Sequence, residues 1–284
     1  MSYVTEADIT RIQVVANDVR QSVIEMLARA GSGHLAGSLG MADILAALYC
    51  HVLRHNPDDP EWEERDRLVL SNGHIAPVRY ATMAHLGYFP VEELFTLRQL
   101  GSRLQGHPER NALPGLETTS GPLGDGLTQA IGMALGLSMN ESDAHVYTLM
   151  SDGEQQCGVT WEAVMFAGAH KIDNLTGIIA RNNIQISGST EEVLALEPLV
   201  EKYESFNWNV IEVDGHNIEM FIDAIEQAKH TTGKPTVLIA HTVPGKGVPE
   251  IEGDYRWHGK VPTKEEANRF LAALTQDRKL ASVS

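Results

Sequence analysis

The chain has 284 residues, 43% of them hydrophobic, enough to bury a large core as one domain spanning 1–284 rather than a string of small modules. With 22 basic and 38 acidic residues its net charge is −16, which argues against a nucleic-acid or anionic-membrane partner, because like charge repels both. Only Cys50 and Cys157 are present, the start lacks a signal-peptide pattern, and no apolar run approaches about 18 residues, so the expected setting is a reducing cytoplasm with no membrane span.

Any anionic ligand must therefore be held by local devices: backbone N–H groups, a metal ion or some of the 12 histidines. In chain order, Ile9, Ile12, Val15, Val19, Val23 and Met26 place one apolar stripe on a helix that Gly31 can end. A glycine-rich turn is expected over GSGHLAGSLG (31–40), leading into an apolar helix, MADILAALYCHVL. RLVLSNGH (67–74) reads as a short buried strand entering a tight turn, followed by the helical stretch APVRYATMAHLG. GPLGDGLTQAIGMALGL (121–137) sets glycines before a helix, where free N–H groups favour an anion. HVYTLM, LTGIIA, NVIEV and TVLIAHTV read as strands, with helices TWEAVMFAGAHK and IEMFIDAIEQAKH among them. That order predicts an α/β fold, a doubly wound parallel sheet with ligands beyond the carboxyl ends of its strands. Thr263 and Glu266 fit a capping box for a last helix, TKEEANRFLAALTQ, before a polar tail at about 277–284.

The most specific signal is SDGEQQ (151–156) after one strand and ARNNIQISG (180–188) after the next. Asp152 and Asn182 lie one strand-helix-strand unit apart, so both should emerge at the same sheet edge. A carboxylate, an amide oxygen and a nearby carbonyl are the hard ligands that Mg²⁺ or Ca²⁺ prefers, and a diphosphate can supply the rest. Either dipeptide alone would read as a turn former. As a ligand at an exposed edge, Asp152 should be replaceable by alanine without harm to the fold.

This unit is similar to the thiamine diphosphate fingerprint, and its flanks resemble transketolases: SGH (32–34), GMADIL (40–45), DRLVLSNGH (66–74), GHPE (106–109), TTSGPLGDG (118–126) and WHGK (257–260), in the family's order over most of the chain. The resemblance implies that Asp152, Asn182 and the Ile184 carbonyl hold the metal. His74, His258 and the Gly153 N–H would contact the diphosphate, with Gly121 and Leu123 lining the cofactor's rings. His34, His107 and His258 would approach substrate hydroxyls as catalytic groups. The remaining histidines carry no comparable motif, Lys246 reads as a solvated turn residue, and Trp161 and Tyr203 read as core.

Two departures stand out. SDG replaces the family's usual GDG, and Cys157 replaces a glutamate of a carboxylate network between subunits, although Glu162 remains. The resemblance also implies a pyrimidine-binding domain and a further C-terminal domain, with the glutamate that activates the aminopyrimidine and most groups that grip a sugar phosphate. The expectation is thus one half of a split, heterotetrameric transketolase that works on sugar phosphates only with a C-terminal transketolase subunit. Other readings are a half of another thiamine diphosphate enzyme, 1-deoxyxylulose-5-phosphate synthase-like or a specialised pentose-phosphate transketolase, or a non-catalytic regulatory homologue.

Overall fold

The computed structural model describes residues 2–281. Helix α1 (Glu6–Ala30) begins where the Thr5 hydroxyl accepts the Asp8 N–H and ends at Gly31, whose φ of 64° supplies the left-handed cap. The glycine-rich stretch is not a turn throughout: Leu35–Gly40 is a short helix, α2, followed by α3 (Ala42–Ala47). Gly40 is needed there because a Cβ would lie 2.8 Å from the Val243 carbonyl oxygen. Strand β1 (Arg67–Leu70) and helix α4 (Ala76–His85) come next, then α5 (Asp125–Met139), β2 (Val146–Ser151), α6 (Gly158–Ala169) and β3 (Leu175–Arg181). A small hairpin, β4 (Ile184–Gln185) with β5 (Gly188–Ser189), leads into α7 (Thr190–Leu194) and α8 (Leu199–Ser205). β6 (Asn209–Asp214), α9 (Ile218–Lys229), β7 (Thr236–His241) and α10 (Lys264–Ala281) complete the chain.

The main sheet runs β1-β2-β3-β7-β6, and every pair in it is parallel. Period-two alternation sends Tyr147, Leu149, Ile178, Ala180 and Leu238 to the core beneath α1, α3, α4 and α9. Val146, Met150, Leu175, Ile179 and Val237 face the opposite core with α5, α6 and α8, so helices cover both faces as the strand-helix order predicts. Thr263 and Glu266 form the reciprocal capping box, with the Glu266 carboxylate accepting the Thr263 N–H at 2.8 Å and the Thr263 hydroxyl accepting the Glu266 N–H at 3.2 Å. Helix α10 continues through residues 277–281, where the polar composition predicts a tail; the last three residues of that tail lie outside the described ones. Among the described residues no helix is long and apolar enough to cross a membrane.

Candidate active site

Parallel strands release their C-terminal loops at one edge, and a cavity of about 450 Å³ opens there. The turn after β1 supplies Asn72 and His74, the turn after β2 supplies Asp152 and Gly153, and the segment after β3 supplies Asn182, Ile184 and Gln185. His34 precedes α2, Gly121 and Leu123 precede α5, and His107 and His258 enter from irregular segments. Every metal, cofactor and catalytic position singled out from the sequence therefore lines one cavity.

Asp152 and Asn182 do leave neighbouring strands together, but Asp152 is not an exposed-edge residue: it is 1% exposed. Its Oδ2 accepts the Asn182 N–H at 3.0 Å, the Asn183 N–H at 2.6 Å and a guanidinium N–H of Arg181 at 3.3 Å, while Oδ1 accepts only the Gly153 N–H at 2.7 Å. Burial pushes the Asp152 carboxyl up, against the opposing pull of these donors. Oδ1 keeps spare lone-pair capacity toward the cavity. The Asn182 Oδ1 accepts one N–H, from Ile184 at 3.0 Å.

The four motif histidines gather rather than scatter. Ring centroids lie 5.0 Å apart for His34 and His74, 5.6 Å for His34 and His258, and 5.4 Å for His74 and His258. Burial lowers His34 to about 4, helped by His258, Arg98 and His107; burial, with His34 and His258, takes His74 to about 3. His107 and His258 are also lowered, chiefly by burial. All four imidazoles are thus favoured in their neutral forms, able to accept or donate a proton at pH 7. Nδ1 of His34 and His258, Oδ1 of Asn72 and Oε1 of Gln185 are buried without a hydrogen-bond partner, as polar atoms awaiting a ligand would be.

This arrangement predicts a pH dependence. The unfolded chain takes up protons on these imidazoles as pH falls below 6.5, before the folded chain does, so the stability they contribute is complete above that pH and is lost as pH falls toward about 3 to 4. For half-buried His74 the loss at pH 5 is at most about 2 kcal/mol. Thermal unfolding between pH 7.5 and 4.5 should show a shallower decline for a His34→Gln, His74→Gln double variant than for the unaltered chain; equal slopes would discard the account.

Several site residues carried no sequence signal. Glu154, wholly buried, accepts the Ser71 hydroxyl, the Gly124 N–H at 2.5 Å and the Ser151 N–H at 3.0 Å. It ties the ends of β1 and β2 to the start of α5, where the helix dipole favours a carboxylate. Burial raises its pKa. Ser151 fits in place of the family's glycine, its hydroxyl accepting the Glu154 N–H at 3.3 Å. Arg181 spans Asp152, the Thr190 hydroxyl, Glu191 and Glu197. Cys157 stands half-buried just before α6, and Glu162 is exposed on that helix. Tyr203 is core, whereas Trp161 is only half-buried, sending its indole N–H to the Gln155 carbonyl at 2.8 Å. Lys246 occupies a half-exposed turn, and histidines left without a role pair elsewhere, as His216 does with Asp43 at 2.7 Å.

A family model described as the thiamine diphosphate-binding domain of transketolase matches residues 11–279. Similar proteins include a 6-deoxy-6-sulfo-D-fructose transketolase subunit, SqwG, of Clostridium sp. (strain MSTE9), 41% identical over 94% of this chain and 97% of that protein. An apulose-4-phosphate transketolase subunit of Phocaeicola vulgatus is 40% identical over 90% of this chain and 91% of its own. The transketolase of Rattus norvegicus is 39% identical over 91% of this chain but only 41% of its own. The solved transketolase from Leishmania mexicana superimposes with a TM-score of 0.88 at 35% identity, covering 93% of this chain and 41% of that one. The chain thus spans nearly the whole of some relatives and about two fifths of others.

Proposed function

The chain belongs to the transketolase family through its thiamine diphosphate-binding domain, and from that premise we propose that it is the diphosphate- and metal-holding subunit of a heteromeric transketolase. A partner chain would bring the pyrimidine-binding domain, and the assembled enzyme would move a two-carbon ketol unit from a ketose phosphate to an aldose phosphate. The observation that carries this reading is the gathering of Asp152, Asn182 and four neutral histidines in one cavity at the carboxyl edge of the sheet.

The residues present suit the absent groups. The free capacity of Asp152 Oδ1, the Asn182 amide oxygen and the Ile184 carbonyl form a hard-oxygen set for Mg²⁺ or Ca²⁺. His74, His258 and the Gly153 N–H would meet the diphosphate. A Cβ on Gly121 would touch nothing within 4 Å, so this position leaves room beside Leu123 for the rings. When bound, thiamine diphosphate supplies the carbanion and electron sink of ketol transfer. This chain's part is to orient the sugar and handle protons. His34 and His258 offer their unpartnered Nδ1 atoms to substrate hydroxyls, and His107 reaches them from the cavity mouth.

The partner reading rests on exposed apolar surface. Met165 and Phe166 of α6 are exposed, as are Ile186 on the cavity rim and Val193 and Leu194 on α7. Exposed apolar side chains of this kind suit burial by a partner, and the reading carried here is a cytoplasmic heterotetramer of two chains of each kind acting in pentose phosphate metabolism. The test is transfer from xylulose 5-phosphate to ribose 5-phosphate by the chain co-expressed with a pyrimidine-domain partner. Robust transfer by the isolated chain would overturn the split reading, and failure with every such partner would overturn the enzymatic one. In the active pair, His107→Ala should cut kcat/KM by about 100-fold, the scale of one acid–base group, with cofactor affinity near normal; a large loss of cofactor binding would remove His107 from the substrate side.

A further inference from the structure

We propose that Glu154 is a positioning residue for the cofactor: from behind the cavity it holds the loop that lines the rings at a fixed distance from the groups that meet the diphosphate. The inference rests on the ketol-transfer reading and deepens it, giving a task to a carboxylate that is not among the described residues lining the cavity. Three segments of the cavity wall converge on this one side chain. Its Oε1 accepts the hydroxyl of Ser71, which leads into Asn72 and His74, and also the N–H of Gly124 at 2.5 Å, directly after Leu123. Its Oε2 accepts the N–H of Ser151 at 3.0 Å, directly before Asp152 and Gly153.

Glu154 is 0% exposed, and its carboxylate takes one hydroxyl and two backbone N–H groups, with no lysine or arginine among its described donors. A backbone donor cannot swing away as a long side chain can, so each of those bonds fixes a length of chain. The ring-lining loop has no slack on its other side. Gly124 has φ of 93°, and a Cβ there would collide with Val159 and lie 3.0 Å from the Thr160 hydroxyl oxygen. That hydroxyl donates to the Glu154 carbonyl at 3.0 Å, and the Gly126 N–H at the start of α5 donates to the Ser71 hydroxyl at 3.1 Å. Gly121 and Leu123 therefore reach the cavity from a loop pinned at Gly124, whereas Asp152 has donors of its own at Gly153, Asn182 and Asn183. Both carboxylate oxygens of Glu154 act as acceptors, which an amide cannot imitate. A glutamine here would set its NH2 against the Ser151 N–H or against the Gly124 N–H. Ser151 is fixed by the pairing of β2 with β3, so the displacement falls on Gly124 and the loop before it.

The test compares two ligands on the assembled pair, each with Mg²⁺: thiamine diphosphate, which spans both ends of the site, and inorganic diphosphate, which reaches only one. Glu154→Gln should weaken binding of thiamine diphosphate by about 10-fold, the scale of one lost hydrogen bond, with the affinity for diphosphate nearly unchanged. Calorimetry reads both constants. An equal loss for the two ligands, or a lowered thermal midpoint with both affinities kept, would mean that Glu154 serves the fold alone; either result overturns the proposal. Ser71→Ala is the milder variant, removing one donor from the same carboxylate, and should shift the ratio of the two affinities in the same direction by a smaller factor. An unchanged ratio there overturns the proposal even where Glu154→Gln does not fold. Failure of the unaltered pair to bind thiamine diphosphate would overturn the cofactor reading and this role with it, whereas an unchanged ratio in a pair that binds the cofactor overturns the positioning role alone.

Discussion

Asp152→Asn is expected to abolish metal-dependent binding of thiamine diphosphate, raising the dissociation constant at least about 100-fold, which corresponds to about 2.7 kcal/mol. The carboxylate supplies the only formal negative charge among the described residues lining the cavity, and a divalent ion there must be balanced by it and by the diphosphate. An amide keeps the shape and one acceptor oxygen, so the Asn182 and Asn183 N–H groups can remain satisfied. Asp152→Ala is a harsher change than an edge position would suggest. It strands the Gly153 and Asn183 N–H groups and one side of the Arg181 guanidinium in a buried place, while the Asn182 N–H keeps the Ala180 carbonyl at 3.1 Å, at a cost of about 1 to 3 kcal/mol for each donor left unpaired. Lost binding in the alanine variant would thus mix ligation with local collapse. The asparagine variant separates them if its thermal midpoint stays within a few degrees of the parent. Calorimetry with Mg²⁺ and thiamine diphosphate decides: unchanged affinity in a folded Asp152→Asn chain removes the metal assignment.

What the sequence made legible is what period and spacing control. Short, nearly continuous apolar runs in VYTLM and TGIIA mark strands buried on both faces, and the thirty positions between Asp152 and Asn182 place both at one edge of adjacent strands. The Thr263–Glu266 capping box is equally local. Helix α2 was hidden because two glycines in six residues, Gly37 and Gly40, oppose helix formation, and tertiary contact outweighs that preference where Gly40 packs on the Val243 carbonyl. The burial of Asp152 was hidden for a related reason: Arg181 adjoins Asn182 in sequence, but nothing in the spacing reveals that its guanidinium turns back to Asp152 and outward to Glu191 and Glu197. Glu154 sits inside the most informative motif, yet its partners Ser71 and Gly124 are 83 and 30 positions away. Long-range polar pairing has no period to read.

Replacing Met165 and Phe166 together by glutamate is expected to prevent assembly with the pyrimidine-domain partner while leaving this chain folded. Helix α6 is apolar on nearly every side, which in a globular protein marks a helix covered all round. Here one side packs on the sheet through Ala163, Val164 and Ala167, while Met165 is 54% and Phe166 42% exposed. The neighbouring α5 offers Gly132 and Gly136, where a Cβ would meet open space, so another chain could approach its backbone closely. Leu194, also exposed, lies beside the start of the same helix, where the Gln156 amide donates to its carbonyl at 2.8 Å. Two carboxylates on this face would be desolvated without partners on docking, a cost of several kcal/mol, so the association constant should fall by more than about 100-fold. Sedimentation of the mixed chains reads that loss directly. Ketol transfer should fall with it, because Asp152 is the only carboxylate among the described residues lining the cavity and, at the proposed metal end, cannot also serve the far end of the cofactor. Full assembly of a folded double variant would move the interface elsewhere, and full transfer without assembly would overturn the need for a second chain.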